Sequence, residues 1–408
     1  MKQILILVFF TALLGCNTTY KPENKIKEDV SFLSDDKLEG RGTGTAGEKA
    51  AADYIAKRFK DLGLEGKGTD GYFQDFTFKP KTDPHSEVKY ISMNSDSTIT
   101  GRNVLGFIDN NAKQTIVIGA HYDHLGFGNE GSLYRGEDKA IHNGADDNAS
   151  GVGLMLNLAS KLREANTNNN YLFMAFSGEE MGLLGSNYFA KNATISTDSI
   201  NYMINMDMVG RLKADSTLAV YGVGTSPIFK QVLMANNKSF KIIENESGVG
   251  PSDHTSFYLV DIPVLHFFTG QHEDYHKPSD DFDKVNYEGM ERISNYIFDI
   301  ISDLDNNGKL AFRKTKNESE ETPRFKVGLG VIPDYLFDGK GMRIDGVSED
   351  RPAIRAGLQK GDIVIQLGDS TVVDMMSYMK ALSVFDVGNT TKAVVLRDGK
   401  KIIFDIKF

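Results

Sequence analysis

Short apolar runs alternate with longer amphipathic stretches through the middle of this chain. Four runs are rich in β-branched or aromatic residues and are bounded by glycine or polar residues: 115–120, 171–176, 202–206 and 262–268. Apolar residues recur with helical spacing over four other stretches: 152–162, 181–190, 227–235 and 287–304. This alternation predicts an α/β fold, in which a mainly parallel sheet is covered by helices on both faces. Ligands of such sheets bind beyond the carboxyl ends of the strands.

The residues ahead of this region predict a helix and two further strands. Thr45-Ala46-Gly47-Glu48 has the spacing of a capping box, and the apolar residues after it recur with helical spacing up to Gly63. Strands are predicted over 72–78 and 98–108, where aromatic and β-branched residues lie between turn-forming segments. Together with the alternating region, these elements make one predicted domain, 30–304.

The first residues have the pattern of an export signal. An apolar run follows Lys2, is shorter than the roughly 20 residues of a membrane-spanning helix, and ends in Leu13-Leu14-Gly15-Cys16. This ending resembles the lipobox of bacterial lipoproteins, which implies that 1–16 is a signal peptide and that Cys16 is lipidated. The polar stretch 17–29 is then a tether. We expect a protein of the bacterial cell envelope, on the periplasmic or outer-membrane face, anchored to the membrane only by this lipid.

A polar stretch separates the alternating region from the end of the chain. Residues 305–324 are poor in apolar side chains and rich in charged ones, so we interpret them as a linker. The remaining 325–408 is long enough for a small second domain. Strand-like segments predict that this domain is β-rich: 326–332, 342–347, 362–367, 392–396 and 401–408.

Length, charge and cysteine content narrow the range of functions. The chain has 408 residues, which is too long for one ordinary core and agrees with two domains. Its formal net charge is -10, whereas nucleic-acid binders concentrate Lys and Arg on one face, so we expect no nucleic-acid partner. Cys16 is the only cysteine, and its lipidation would leave no thiol for a disulfide or for nucleophilic catalysis.

Two familiar motifs occur in contexts that argue against their usual functions. Residues 42–47 match the dinucleotide-binding pattern GxGxxG, but the polar residues before them cannot form the buried strand that this site requires. Residues 272–276 match HExxH, whose two histidines bind one metal from a single long helix. Gly270 and Pro278 flank that motif and leave no room for such a helix. We predict a loop at both places.

Metal-binding residue types follow the ends of the four predicted buried strands. They are His121, Glu179, Glu180, Asp207 and, one loop later, His276. Asp147 lies in a glycine-bounded turn before a predicted helix. An acidic pair is also typical of an ordinary helix start, but the whole set together predicts one shared crevice at the sheet edge. Spacing alone does not select Asp147 over Asp146, or His276 over His272.

Five segments resemble the M28 family of zinc aminopeptidases and occur in the order of that family. They are 119–124, 144–151, 176–186, 205–210 and 275–280. The resemblance extends over the whole predicted first domain and implies a zinc aminopeptidase fold with two zinc ions per chain. It also implies the metal ligands: His121 and Asp207 for one ion, Glu180 and His276 for the other, and Asp147 for both.

The same resemblance implies a hydrolase that releases N-terminal amino acids from peptide substrates. Hydroxide bridging the two ions would attack the scissile carbonyl, with Glu179 as the general base. Tyr275 would donate a hydrogen bond to the oxyanion. Segments 252–254 and 267–270 resemble the substrate pocket of the family. Pro251 stands where some members carry an arginine, so the contact to the terminus of the substrate stays open.

The second domain resembles PDZ domains. Val327-Gly328-Leu329-Gly330-Val331 is similar to their carboxylate-binding loop, and 348–362 is similar to their helix and following strand. The resemblance implies that Gly328, Leu329, Gly330 and Val331 bind the C-terminal carboxylate of a peptide ligand through backbone amides. The alternative is an accessory domain without a ligand, because a Gly-x-Gly turn can be only a turn.

Two other functions are compatible with parts of this pattern. One is a glutaminyl-cyclase-like enzyme, which shares the fold and is described as using a single zinc ion. The other is a catalytically silent envelope lipoprotein that binds peptides through its second domain. The complete set of ligand types and the retained Glu179 favour the two-zinc aminopeptidase over both.

Overall fold

The computed structural model describes most of the chain. The described ranges are 24–80, 89–91, 98–128, 131–163, 165–166, 168–316, 326–334, 336–337, 339–348 and 351–408. The predicted signal peptide with Cys16, most of the predicted tether, and 317–324 of the predicted linker lie outside these ranges. Among the helices within them, none combines the length and the apolar character that crossing a membrane requires.

The described helices and strands fall into two groups along the chain. The helices are α1 (Ile26–Leu33), α2 (Ala46–Asp61), α3 (Gly151–Leu162), α4 (Leu184–Lys191), α5 (Phe229–Asn236), α6 (His254–Tyr258), α7 (Tyr287–Leu304), α8 (Pro352–Ala356) and α9 (Met375–Leu382). The strands of the first group are β1 (Glu65–Gly66), β2 (Phe73–Lys79), β3 (Lys89–Tyr90), β4 (Ile99–Ile108), β5 (Thr115–His121), β6 (Asn170–Phe176), β7 (Ile200–Met206), β8 (Thr217–Tyr221), β9 (Lys241–Glu244) and β10 (Val264–Phe268). Those of the second group are β11 (Val331–Pro333), β12 (Met342–Val347), β13 (Ile363–Leu367), β14 (Ser370–Thr371), β15 (Thr390–Arg397) and β16 (Lys400–Lys407).

One sheet forms the centre of the first domain. Its strand order is β3-β2-β4-β6-β5-β7-β10-β8-β9, with β1 paired to β4. The central strands β6, β5, β7 and β10 are parallel to one another, and they are the four apolar runs of the sequence. Every residue of β5, β6 and β7 is buried, as expected for parallel strands with both faces covered. The predicted fold class is confirmed.

Successive residues of the central strands pack on opposite faces of the sheet. On β5, Ile116 and Ile118 belong to a large core that includes apolar residues of α2, α3 and α7. Val117 instead packs in a second core with Phe189 of α4 and Phe257 of α6. This period of two is what a β-strand between two helical layers requires.

Helix α1 corrects the predicted tether. Residues 26–29, which the polar pattern assigned to the tether, belong to this helix. Ile26, Val30 and Leu33 are at most 2% exposed and lie in the large core. The charged residue on the same face, Asp29, is paired with Arg58 of α2 at 2.7 Å. The neighbouring lysines and Glu28 concealed the amphipathic spacing of a helix that has only eight residues.

The second domain is a small antiparallel sheet with two helices. Its strand order is β11-β12-β13-β15-β16, with β14 paired to β13. Helix α9 was not predicted from the sequence. Its N-cap is Asp374, whose side chain accepts a hydrogen bond from Ser377 N at 2.7 Å, while the Ser377 hydroxyl oxygen accepts from Asp374 N at 3.0 Å. This reciprocal cap fixes the first turn of α9.

The two domains are in direct contact. Lys213 Nζ of the first domain lies 3.3 Å from Asp345 Oδ2 of β12. Leu336 is 4% exposed, and a Cβ added to Gly270 would lie 2.8 Å from its Cδ1. The backbone of Gly270, with φ +97, therefore packs directly against this leucine. Since Gly270 follows β10, the contact lies beside the carboxyl edge of the central sheet.

Candidate metal centre

The carboxyl ends of the central parallel strands lie together at one edge of the sheet. His121 of β5 pairs with Phe176 of β6, and Gly119 of β5 pairs with Asn205 of β7. The two glutamates after β6 and Asp207 after β7 consequently start from positions beside His121. This is the crevice that the sequence predicted, and the structure brings the predicted metal-binding residues into it.

One group of possible ligands surrounds His121. Its Nε2 atom lies 3.3 Å from Asp147 Oδ1 and 3.4 Å from Asp207 Oδ1. His121 is 1% exposed, and its other ring nitrogen, Nδ1, lies 3.2 Å from the carbonyl oxygen of Asp123. Because Nδ1 donates to that carbonyl, the Nε2 lone pair is directed at the carboxylates and is free to bind a metal.

A second group surrounds His276. Its Nε2 atom lies 3.3 Å from Asp147 Oδ2 and 3.3 Å from Glu180 Oε2. His276 is in a turn and not in a helix, as predicted for the HExxH segment, and its φ is 54. The carbonyl oxygen of Gly131 accepts from His276 Nδ1 at 2.8 Å and fixes the orientation of the ring. The two oxygens of Asp147 therefore reach two different histidines.

These distances fit the chemistry of zinc. Two donor atoms that are each about 2.1 Å from a tetrahedral zinc ion lie about 3.4 Å apart. The four nitrogen–oxygen distances in the two groups are 3.3, 3.4, 3.3 and 3.3 Å. Imidazole nitrogen and carboxylate oxygen are also the donor types that zinc uses in catalytic sites. The residues present thus fit two zinc ions that share one carboxylate.

His124 has a different geometry from the other two histidines. Its Nδ1 atom lies 2.7 Å from Glu180 Oε1, which is a hydrogen-bond distance and is too short for two ligands of one ion. His124, Asp147 and Glu180 also form a compact cluster of metal-capable atoms. The short contact indicates that His124 orients the carboxylate of Glu180.

Asp123 and Asp146 support the site without lying at the metal positions. Asp123 Oδ1 accepts from the backbone amide of Glu179 at 3.1 Å. Asp146 binds away from the crevice: its Oδ2 lies 3.1 Å from His272 Nε2, and its Oδ1 accepts from Gly210 N at 2.6 Å. The structure thereby separates the alternatives that spacing left open, since Asp146 and His272 contact each other.

A buried arginine connects the backbone segments that carry the site. Arg41 is fully buried and donates hydrogen bonds to the carbonyl oxygens of Leu33, Tyr122, Asn143 and Gly144. Tyr122 follows His121 directly, and Gly144 begins the turn that contains Asp147. The Arg41 side chain therefore bonds to the backbone next to His121 and to the backbone just before Asp147, two residues of the first metal group.

Carboxylates crowd both imidazoles. Burial would lower the pKa of His276, but Glu180 and Asp147 outweigh it and raise that pKa to about 11. Burial would also lower the pKa of His121, and Asp207 and Glu179 outweigh it and raise that pKa well above its usual range. Such a density of carboxylates requires positive charge beside it, which a divalent cation supplies.

Glu179 occupies a different environment from the ligand carboxylates. Its Oε2 atom lies 4.0 Å from His121 Nε2, farther than the donor atoms of either group. Burial raises the pKa of Glu179 well above its usual range, and repulsion from Asp207 and Glu180 adds to the rise. The side chain lines the same cleft as the metal-binding residues, so it is available to a bound substrate.

The cleft over the metal centre has a volume of about 420 Å³. Its lining combines the predicted site residues with apolar side chains from both domains: Met208, Val249, Phe268, Met375, Met376 and Met379. Ser252 of the predicted substrate segment and the preceding Pro251 also line it. Tyr275 also lines the cleft, with its ring stacked on that of His276 at a centroid distance of 3.8 Å.

Sequence reasoning missed the three methionines of the second domain. They lie in α9, which was not predicted, and no metal-binding or catalytic motif marks them. Their helical spacing, with Met375 and Met379 four residues apart, was the available signal. An amphipathic stretch without a predicted secondary structure, in a domain beside an active site, is a candidate for lining that site.

A separate groove lies beside the predicted carboxylate-binding loop. It has a volume of about 560 Å³ and is lined by Gly328, Gly330, Val331 and Arg351 among other residues. Leu329 is buried, and its carbonyl accepts from Ala353 N at 2.9 Å. Gly330 has φ +75, which a glycine adopts without strain.

Comparison with known proteins identifies both domains. Residues 103–301 match the model of peptidase family M28, and residues 310–408 match the model of the PDZ domain. The chain carries a peptidase M28 domain. A PDZ domain follows it, and both predicted resemblances are confirmed. The PDZ match starts before the predicted boundary at 325, but Leu310 and Phe312 pack against the cores of the M28 domain.

Curated relatives match part of the chain. A probable leucine aminopeptidase from Trichophyton verrucosum (strain HKI 0517) is 31% identical over 173 residues, or 40% of this chain and 44% of that protein. The chain spans about half the length of the curated relatives it matches.

Two solved structures share the fold of the M28 domain. A zinc aminopeptidase from Bacillus subtilis has a TM-score of 0.55 and 17% identity, covering 73% of this chain and 97% of that chain. The Porphyromonas gingivalis glutaminyl cyclase has a TM-score of 0.53 and 18% identity, covering 68% of this chain and 97% of that chain. The fold therefore accommodates both aminopeptidases and glutaminyl cyclases.

Proposed function

We propose that this protein is a two-zinc aminopeptidase that releases N-terminal amino acids from peptides. The observation that carries the proposal is the position of Asp147, whose two oxygens each lie 3.3 Å from a different histidine. A carboxylate in this position could be a ligand of two metal ions at once. The M28 match and the relative named a probable leucine aminopeptidase support the same reaction.

The ligands divide between two zinc ions. His121 and Asp207 would hold one ion, Glu180 and His276 the other, and Asp147 both. The chemistry that bound zinc supplies is Lewis acidity, which makes hydroxide available near neutral pH and polarises a peptide carbonyl.

Two residues that are not ligands carry the proton and charge movements. Glu179 accepts the proton of the attacking water and passes it to the leaving amine, as a buried carboxylate beside the metal ligands can. Tyr275 donates its phenolic hydrogen to the oxyanion. Burial raises the pKa of Tyr275 well above its usual range, and the surrounding carboxylates add to the rise, so its hydroxyl keeps its proton.

The decisive experiment measures metal content and product together. Zinc per chain is determined on the purified protein, and free amino acid is quantified from a panel of short peptides with and without chelator. We expect two zinc ions and chelator-sensitive release of the first residue. One zinc ion with pyroglutamate formation would instead indicate a glutaminyl cyclase. Peptide binding without metal would indicate a catalytically silent binding protein.

The PDZ domain and the N-terminus extend the proposal to partners and location. We propose that Gly328, Leu329, Gly330 and Val331 bind a C-terminal peptide carboxylate, and that Cys16 carries a lipid which anchors the protein in the bacterial envelope. The groove beside the loop supports the first part, and the lipobox-like ending supports the second. Cys16→Ser should move the protein from the membrane to the soluble fraction, and amidating a peptide's C-terminus should abolish its binding.

A further inference from the structure

The cleft over the metal centre is built from two domains. Residues of the M28 domain supply the metal-binding groups, while the PDZ domain supplies Met375, Met376 and Met379 of α9. Positions 375, 376 and 379 lie on one face of a helix. The first turn of α9 therefore presents a continuous apolar surface to the space in which the proposed substrate reacts.

The position of α9 is fixed from within its own domain. Met375 and Met379 pack partly against the PDZ core, and the cap between Asp374 and Ser377 holds the start of the helix. Met376 is half-buried and lines the cleft. Of the three, it is the residue whose substitution disturbs the PDZ core least.

Contacts outside the cleft hold the two domains together around it. Asp345 is 6% exposed and lies between Lys213 of the M28 domain, at 3.3 Å, and Lys360, at 3.2 Å. Leu336 packs on Gly270, which precedes the cleft residue Gln271 directly. Leu133, beside the loop that positions His276, lines the groove of the PDZ domain. Contacts between the two domains on several sides of the cleft therefore hold α9 in position.

The chemistry of the three methionines of α9 indicates what this surface binds. Methionine is unbranched and polarisable, so its side chain adapts to apolar groups of different shape. On the M28 side, Met208, Val249 and Phe268 line the same cleft. A cleft of about 420 Å³ with apolar lining on two sides has room for a large apolar side chain of a bound peptide.

We propose that the first turn of α9 forms part of the substrate pocket and gives the enzyme a preference for peptides with a large apolar N-terminal residue. This inference rests on the proposed aminopeptidase function and adds its substrate class. The PDZ domain then has a second role: it completes the specificity pocket of the M28 domain. Met376 is the central specificity residue of this surface.

The test compares substrates in the full-length, zinc-loaded protein. Aminoacyl p-nitroanilides of leucine, phenylalanine, alanine and lysine are hydrolysed by the parent, by Met376→Ala and by Met376→Lys. We expect Met376→Ala to lower kcat/KM for leucine and phenylalanine roughly tenfold, mainly through KM, with little change for alanine. Met376→Lys should lower kcat/KM for the leucine and phenylalanine substrates further. It should also reverse the preference for the leucine over the lysine substrate. Zinc content and the thermal unfolding of each variant show that the site and fold are intact.

Met234→Ala is the matched control. Met234 lies in α5 and is 66% exposed, so removing its side chain should leave the substrate preference unchanged. Selectivity in Met376→Ala that equals that of Met234→Ala would overturn the inference. A uniform rise of kcat/KM for all substrates would also overturn it, because α9 would then obstruct the cleft instead of binding the substrate.

A binding measurement separates this inference from the proposed function. If the parent releases no amino acid, the proposed function fails, and calorimetric binding of leucyl-glycine to the parent and to Met376→Lys then decides the inference alone. Binding that is weakened by Met376→Lys supports an apolar pocket at α9. Equal binding to both proteins rejects it.

Discussion

Glu179 and Glu180 are neighbours in sequence but have different surroundings. Glu180 is oriented by His124 at 2.7 Å and lies 3.3 Å from His276. Glu179 faces the cleft and is held through its backbone amide by Asp123. This difference supports the proposal that Glu180 holds a metal ion while Glu179 transfers the proton.

Glu179→Gln tests this division directly. Glutamine keeps the shape of the side chain but cannot accept the proton, so we expect both zinc ions to remain while kcat falls by about a hundredfold to ten-thousandfold. Zinc analysis and steady-state kinetics measure the two effects. The control is Glu137→Gln, at an exposed position. Turnover near that of the parent would show that another group is the base.

A second buried glutamate makes stability depend on pH. Glu48 is 3% exposed, accepts from Gly44 N, and accepts from the hydroxyl of Ser177. Burial raises the pKa of Glu48 to about 8. Between its ordinary pKa and about 8, the folded protein holds a proton that the unfolded chain has lost, so the free energy of unfolding falls as pH rises.

Glu48→Gln tests this fall in the free energy of unfolding as pH rises. Glutamine cannot ionise, so the contribution of this site, at most about 1.4 kcal/mol per pH unit, should vanish between pH 5 and 8. Urea unfolding at several pH values measures the slope for the parent and the variant. Glu65→Gln, at an exposed position in β1, should keep the slope of the parent. An unchanged slope in Glu48→Gln would mean that Glu48 is ionised in the folded state.

At the scale of elements, helix α7 depends on a single capping residue. Asn286 Oδ1 accepts from Gly289 N at 2.9 Å, and its Nδ2 donates to the carbonyl of Leu212 at 2.9 Å. The second bond ties the start of α7 to the segment after β7. Both bonds use atoms that alanine lacks.

Asn286→Ala should lower the free energy of unfolding by about 1 kcal/mol or somewhat more. Asn286→Ser keeps a capping oxygen and removes the donor to Leu212 without placing a charge beside that carbonyl, so its loss should be smaller. Denaturant unfolding of the three proteins gives the order. If serine were as destabilising as alanine, the contact with Leu212 and not the cap would stabilise this region.

The sequence predicted the central elements because their patterns are long or sharply bounded. The buried runs of β5, β6, β7 and β10 and the 18-residue helix α7 are of this kind. The missed elements are short or only partly covered: α1 and α9 have eight residues each, and β9 is four residues with no buried position. Their order comes from tertiary packing, which no local pattern records.

The candidate site, like the fold, could be predicted from the sequence only in part. Strand ends and residue types predicted which side chains would meet. They did not predict that Asp146 would bind His272 while Asp147 lies between His121 and His276, since that depends on the path of two loops. Nor did they predict the methionines of α9, because those reach the cleft only through the contact between domains.

At the scale of the whole molecule, metal binding should stabilise one domain selectively. The possible ligands all lie in the M28 domain, and the described part of the PDZ domain contains no comparable cluster. Removing zinc with a chelator leaves the carboxylates without their cation. We expect the unfolding transition of the M28 domain to fall by roughly 10 °C and to recover when zinc is restored.

Calorimetry distinguishes the two domains if they unfold in separate steps. The unfolding temperature of the PDZ domain serves as the internal control and should not change when the chelator is added. Magnesium, which prefers oxygen ligands, should not restore the M28 transition. A stability that does not respond to the chelator would contradict a zinc site at these residues.

The single guanidinium of Arg41 has a consequence for how the molecule opens. It binds four carbonyl groups from three segments of the chain, at Leu33, at Tyr122 and at the adjacent Asn143 and Gly144. None of these segments can separate without leaving a buried charge and several carbonyls unpaired. In hydrogen exchange, the amides around His121 and Asp147 should therefore exchange in one cooperative event, together with the end of α1. A short N-terminal helix that has no residue in the metal centre thus belongs to the same unit of local unfolding as the metal centre itself.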